Sequence, residues 1–267
     1  MGWWPTPRMT DPTTLPSPRR LLGVSLETIV ATFLGAFVAL GLALVAYSVL
    51  DVSLGTVFAS VFLASLVSLG MADVVTNVRE WVVVSVVIAI ASVVPVLLGI
   101  FDHPELASAG AQLLLLCALL AATMIALVRA VARVVGGAIG ATVAVAILLA
   151  WLTWPVWMSP YFGTGVGTFF VDRLLSHQPL FAIGGAYRAM GDWTHAPIAY
   201  SHLTSLGQDV MFAPPANAWA AIGSHTVVAG VFGALAFARS SGDQQLRCRV
   251  AADTSVASSE KTKDPVA

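Results

Sequence analysis

Six stretches of this chain are long and apolar enough to cross a lipid bilayer, and they limit the fold more than any motif does. A span needs roughly 17–25 largely apolar residues. Thr28–Leu50, Leu54–Met71, Trp81–Phe101, Ala111–Val128, Ala138–Met158 and Trp219–Phe237 all qualify. Hydrocarbon offers no water to the backbone N–H and C=O groups, so such runs must be helices. The expected class is all-α: a polytopic membrane protein, a bundle of six transmembrane helices with a short-helix extracytoplasmic cap between helices 5 and 6. Composition agrees, because only 10% of the 267 residues are charged and 58% are hydrophobic. A soluble domain usually carries about a quarter charged residues.

The runs divide the chain into a polar, proline-rich N-terminal tail (1–24), helices 1–5 (25–158), an outer subdomain (159–218), helix 6 (219–239) and a C-terminal tail (240–267). That last tail is rich in Ser, Thr, Asp and Lys without an apolar period, so it is expected to be disordered.

Orientation follows from Lys and Arg, which concentrate in cytoplasmic loops. With the N-terminus inside, the inner segments hold Arg8, Arg19, Arg20, Arg79, Arg129, Arg133, Arg239, Arg247, Arg249, Lys261 and Lys263, which is 11 of 13. Only Arg173 and Arg188 fall outside. The expected placement is a multi-pass protein of the cell membrane with both termini cytoplasmic.

Local signals refine the picture. Asp51-Val52-Ser53 suits a tight hairpin in which Asp51 or Ser53 caps the second helix. Trp81, Tyr47, Trp151, Trp154 and Trp157 read as interfacial anchors, and Pro155 is expected to kink or end the fifth helix. Gly136 with Gly140, and Ala229 with Gly233, are small-xxx-small pairs expected at helix contacts. Glu27 belongs in the first turn of its helix, where the dipole favours a carboxylate.

Several functions are excluded. A net charge of −1 without a basic stripe gives no case for nucleic acid. Cys117 and Cys248 form neither a disulfide framework nor a zinc spacing. The glycines of GTGVG (163–167) have no strand before them and no Lys-Ser/Thr after them, so they are not a nucleotide loop. No cofactor is expected.

Polar chemistry gathers in GDWTHAPIAYSHLTSLGQDV (191–210). Before it, TFFVDRLLSH (168–177) reads as a short helix, and Pro179 is expected to open another that Gly191 closes. A further helix from Thr194 or His195 to about Leu206, with Pro197 in its first turn, would carry His195 and His202 close in helical phase across the outer mouth of the bundle. All five histidines, His103, His177, His195, His202 and His225, fall on the expected outer side. They lack metal-ligand spacing such as HExxH, so no metal is assigned.

His225 stands apart, because it lies eight residues after Asn217, the expected cap of the last helix, or about 12 Å along it. Ionisable residues at such depth face a bundle interior or a wet cavity. A single site is expected in which a lid carrying Trp193, His195, His202, Gln208 and Asp209 lies above His225, with a polar partner for the imidazole.

The layout over residues 25–240, six spans with a tight first outer turn and a long outer loop before the last span, resembles the permease subunits of the exporter-type ABC transporters known as ABC-2. The resemblance implies a homodimer partnered by a separate cytoplasmic ATPase. GSHTVVAGVFGALAF (223–237) is faintly similar to the last span of rhomboid proteases, but the fourth run, residues 111–128, contains no serine nucleophile. The leading expectation is a permease-type membrane subunit of a transport system in the lipid bilayer. The alternatives are a non-catalytic subunit of a membrane complex, and an intramembrane enzyme or metal-binding protein using the outer histidines.

Overall fold

The computed structural model describes residues 20–21, 24–50, 54–100, 104–162, 173–187 and 215–237. A small antiparallel hairpin, β1 (Arg20–Leu21) with β2 (Val24–Ser25), leads into α1 (Leu26–Leu50). Then come α2 (Leu54–Leu69), α3 (Val78–Ile100), a single 3-10 turn (Pro104–Leu106), α4 (Ala107–Val135) and α5 (Gly137–Phe162). A helical turn at 173–176, α6, precedes α7 (Pro179–Ala186), and the last long helix, α8, is Trp219–Phe237.

Five of these helices, α1, α3, α4, α5 and α8, are long and apolar enough to cross a membrane. With 16 residues, α2 spans only about 24 Å, short of a hydrocarbon core of about 30 Å. The architecture is that of an apolar, membrane-embedded helical bundle.

The bundle is built around α4. Of its apolar stretch 72% is buried, against 22% for α1 and for α5, so α4 is the axis and those two are the flanks. It packs against α2, α3, α5 and α7. The flanks turn large apolar side chains outward: Phe33 and Phe37 of α1 are 72% and 76% exposed. In lipid such a surface needs no partner.

Hydroxyls inside the bundle lose their polarity locally. Ser60, Ser65 and Ser92 each donate to the carbonyl four residues back, at 3.0, 2.9 and 2.9 Å. This bond satisfies a buried O–H without an interhelical partner.

Several helix ends depart from the apolar runs. The run that ends at Val128 continues as helix to Val135, and Gly136, with φ of +94°, then reverses the chain. A side chain there is strained, so glycine ends the helix. Gly136 therefore serves a turn rather than a helix contact, and a Cβ on it would meet nothing within 4 Å. Gly140 is the packing member of the pair: a Cβ on it would lie 2.8 Å from the Cα and N of Ala132. Gly233 and Ala229 are buried, and a Cβ on Gly233 would reach the Trp81 ring at 2.6 Å. Pro155 does not end α5, which continues to Phe162.

Two ends of the bundle can be told apart. At one, the Gly136 turn lies near the 70–77 connection, the start of α3 and the end of α8. There Arg129 Nη1 donates to Ala72 O at 2.9 Å and also to Val75 O, and the guanidinium lies 5.3 Å from the Phe237 ring centroid. Arg133 Nη1 donates to Leu235 O at 3.0 Å. At the other end Gln112 Oε1 of α4 accepts from Ala218 N at 2.6 Å, just before α8. These two fastenings show that α4 and α8 run parallel.

Candidate functional site

Within the apolar helix α8 a histidine is buried, His225, only 5% exposed. Its Nδ1 lies 2.7 Å from Ala221 O, and its Nε2 accepts from the Trp151 indole N–H of α5 at 3.2 Å. A carbonyl only accepts and an indole only donates, so the two partners fix the neutral tautomer with hydrogen on Nδ1. The rings stand 6.0 Å apart and tilted by 54°. The bond ties α5 to α8.

This pair lies in a cleft of about 280 Å³ between α5 and α8, with α4 as its floor. Leu120, Met124 and Leu127 of α4 and Leu148 of α5 are buried in it, whereas Ile147 of α5 and Val228 of α8 are 47% and 38% exposed at its rim. The opening therefore faces sideways, through the surface that two apolar helices present outward. Along α8 the cleft runs from Ser224 to Phe232, about 12 Å.

Polar groups gather at the end nearest the start of α8. His177, just after α6, joins Ser224 and His225 in the lining. Its Nδ1 lies 3.1 Å from Ala220 O, and because a carbonyl only accepts, Nδ1 carries a hydrogen; in the neutral ring Nε2 is then the acceptor. Ser224 donates to Ala221 O at 2.9 Å, and Thr123 of α4 donates to Leu119 O at 2.7 Å.

The segment around His177 is held by Gln178, which is fully buried. Gln178 Nε2 donates to Leu152 O of α5 at 2.9 Å, and its Oε1 caps α7 by accepting from Phe181 N at 2.7 Å. Pro179 occupies the first turn of α7, where its missing N–H costs nothing. Gly185 lets the 215–218 segment lie on α7: a Cβ there would come within 2.0 Å of Pro215 O. Tyr187 follows, fully buried, and its hydroxyl finds no partner among the described residues. Burial pushes its phenol well above the usual tyrosine range.

A second polar knot sits at the Gly136 end. Glu80 on α3 is 1% exposed, and its carboxylate accepts from Ser25 N at 3.1 Å, Thr76 N at 2.7 Å and Thr76 Oγ1 at 2.8 Å. Asn77 Oδ1 accepts from Glu80 N at 2.9 Å. Together these bonds tie the start of α1 and the 70–77 connection to α3. Its chemistry is that of a helix cap and a fastening.

The structure brings His225 together with two residues that sequence reasoning gave other roles or none, Trp151 and His177. Trp193, His195, His202, Gln208 and Asp209, expected above His225, lie outside the described residues. So do Asp51, Ser53, residues 163–172, the C-terminal tail and all of the N-terminal tail except residues 20–21 and 24. Trp81, expected as an interfacial anchor, donates its indole N–H to Ala122 O at 2.8 Å and stacks near Phe237 at 5.6 Å, so it packs α3 against α4 and α8. No group of three or more His, Cys, Asp or Glu side chains suited to a metal occurs among the described residues.

No protein-family model, curated protein or solved structure matches this chain.

Proposed function

We propose that this chain is the membrane-embedded, permease-type subunit of a transport system, with six spans and both termini in the cytoplasm. One observation carries the reading: the bundle holds a cleft of about 280 Å³ whose rim, Ile147 and Val228, lies on an outward apolar surface while one end carries polar side chains. A molecule entering from the bilayer can exchange hydrocarbon for protein there without crossing water. The charge pattern supports the orientation, since four of the five arginines among the described residues, Arg20, Arg79, Arg129 and Arg133, belong to the Gly136 half of the layout.

Driving such a cycle needs an energy source, and the ABC-2-like layout implies a cytoplasmic ATPase and a second copy of this chain. The test is isolation of the tagged full chain from its own membranes in mild detergent. Recovery of two copies with a protein that hydrolyses ATP is expected. Repeated recovery as a lone monomer without nucleotide hydrolysis overturns the proposal.

A further inference from the structure

Each polar side chain that lines the cleft among the described residues directs a hydrogen to a partner within the protein. Ser224 and Thr123 donate to Ala221 O and Leu119 O, the Nδ1–H groups of His177 and His225 face Ala220 O and Ala221 O, and the Trp151 N–H is given to His225. What remains is acceptor capacity: in the neutral ring of His177 the Nε2 lone pair, which meets no hydrogen-bond partner among the described residues, and the oxygens of Ser224 and Thr123. An occupant with a donor is complementary to this wall. An anionic head would face lone pairs.

Charge narrows the class further. Among the described residues no carboxylate lines the cleft, so a cationic head would meet no counter-ion from them, which is costly in an apolar setting. A neutral donor remains, a hydroxyl in the simplest case. Size sets the other limit, because about 280 Å³ falls just below the usual range of about 300–1,000 Å³ for ligand pockets. A single chain fits and a bulky two-chain lipid does not. The side opening between Ile147 and Val228 gives such a chain a path from the hydrocarbon.

We propose that the cleft between α5 and α8 binds a neutral, hydroxyl-headed, single-chain apolar molecule from the bilayer, with its chain against α4 and its hydroxyl donated to His177 Nε2 or Ser224 Oγ. This rests on reading the cleft as the working site of the protein, and it names the class of molecule that site takes.

The test uses the full chain reconstituted in phosphatidylcholine vesicles and two photoreactive probes of equal length, a diazirine-bearing long-chain alcohol and the corresponding carboxylic acid at neutral pH. The alcohol should label peptides from the cleft walls of α4, α5 and α8 saturably, and unlabelled long-chain alcohol should compete with it. The acid should label the cleft no more than it labels the outward face of α1 around Phe33 and Phe37, which serves as the bulk-lipid control. Val228→Trp, at the exposed rim, should block labelling by filling the opening. His177→Leu should weaken half-saturation roughly tenfold, because a buried hydroxyl is left unpaired. His177→Asn, which keeps one donor and one acceptor, should restore part of it.

Equal labelling by both probes, or labelling of the cleft no greater than that of α1, overturns the proposal. The measurement reads occupancy alone. A chain that binds the alcohol but is always isolated without an ATPase therefore keeps this site and loses the transport role, whereas the opposite pair of results does the reverse.

Discussion

The bond between Trp151 and His225 joins two helices whose partners are 74 residues apart in sequence, and its strength can be worked out before it is measured. Trp151→Phe keeps the ring but removes the N–H, leaving His225 Nε2 without a donor. His225→Leu leaves the Trp151 N–H without an acceptor, while Ala221 O still accepts from Ser224. A buried donor or acceptor left unpaired costs about 1–3 kcal/mol, so each single variant should lose stability in that range. Leucine returns some of this, being cheaper than histidine in hydrocarbon. The coupling between the two changes is the cleaner quantity. Interhelical hydrogen bonds in a membrane protein average about 0.6 kcal/mol and reach about 1.7, so a double-mutant cycle should show coupling of about 0.6–1.7 kcal/mol. Reversible unfolding of the four proteins in mixed micelles measures it. Additivity within about 0.3 kcal/mol would falsify the bond as a fastening between α5 and α8.

Glu80→Gln should cost about 1.5–3 kcal/mol in the same assay, because an amide nitrogen cannot accept and at least one of the bonds from Ser25 or Thr76 is lost from a charged acceptor; an unchanged unfolding midpoint contradicts this. Gly140→Ala should destabilise by up to about 2 kcal/mol, since overpacking against the Ala132 backbone costs about 1–3 kcal/mol and helix propensity returns about 1. Gly230→Ala, with nothing within 4 Å of its Cβ, should instead be neutral or stabilising, and the reverse order of the two variants refutes the packing. In intact cells, a single cysteine at Glu105 should react with an impermeant thiol reagent added outside and one at Val134 should not; the opposite result inverts the topology.

The long helices were legible because apolar length alone demands them, but their ends were not. Arg129 and Arg133 interrupt the apolar run, yet their guanidinium groups find carbonyls on other helices or connections, so α4 continues until Gly136 turns it. His225 was legible as a histidine in an apolar helix. Its partner was not: Trp151 sits among other tryptophans in WLTWPVW and reads as an interfacial anchor, and no periodicity within one helix reports a contact with another. Glu80 escaped notice among charges at a span edge, although Asn77 three residues before it carries the pattern of a capping box. The hydrogen-bonding character of the cleft depends on where each hydroxyl and imidazole hydrogen goes. That is set by local backbone geometry, which the residue types do not disclose.

The most direct test of the lateral cleft is the environment of its rim. Spin labels placed singly at Ile147 and Val228 of the chain reconstituted in bilayers should collide readily with oxygen, which concentrates in hydrocarbon, and poorly with a water-soluble nickel complex, as a label at Phe37 should. If the nickel complex instead dominates at 147 and 228 while oxygen dominates at 37, the cleft opens to water and its reading as an entrance from the bilayer is wrong.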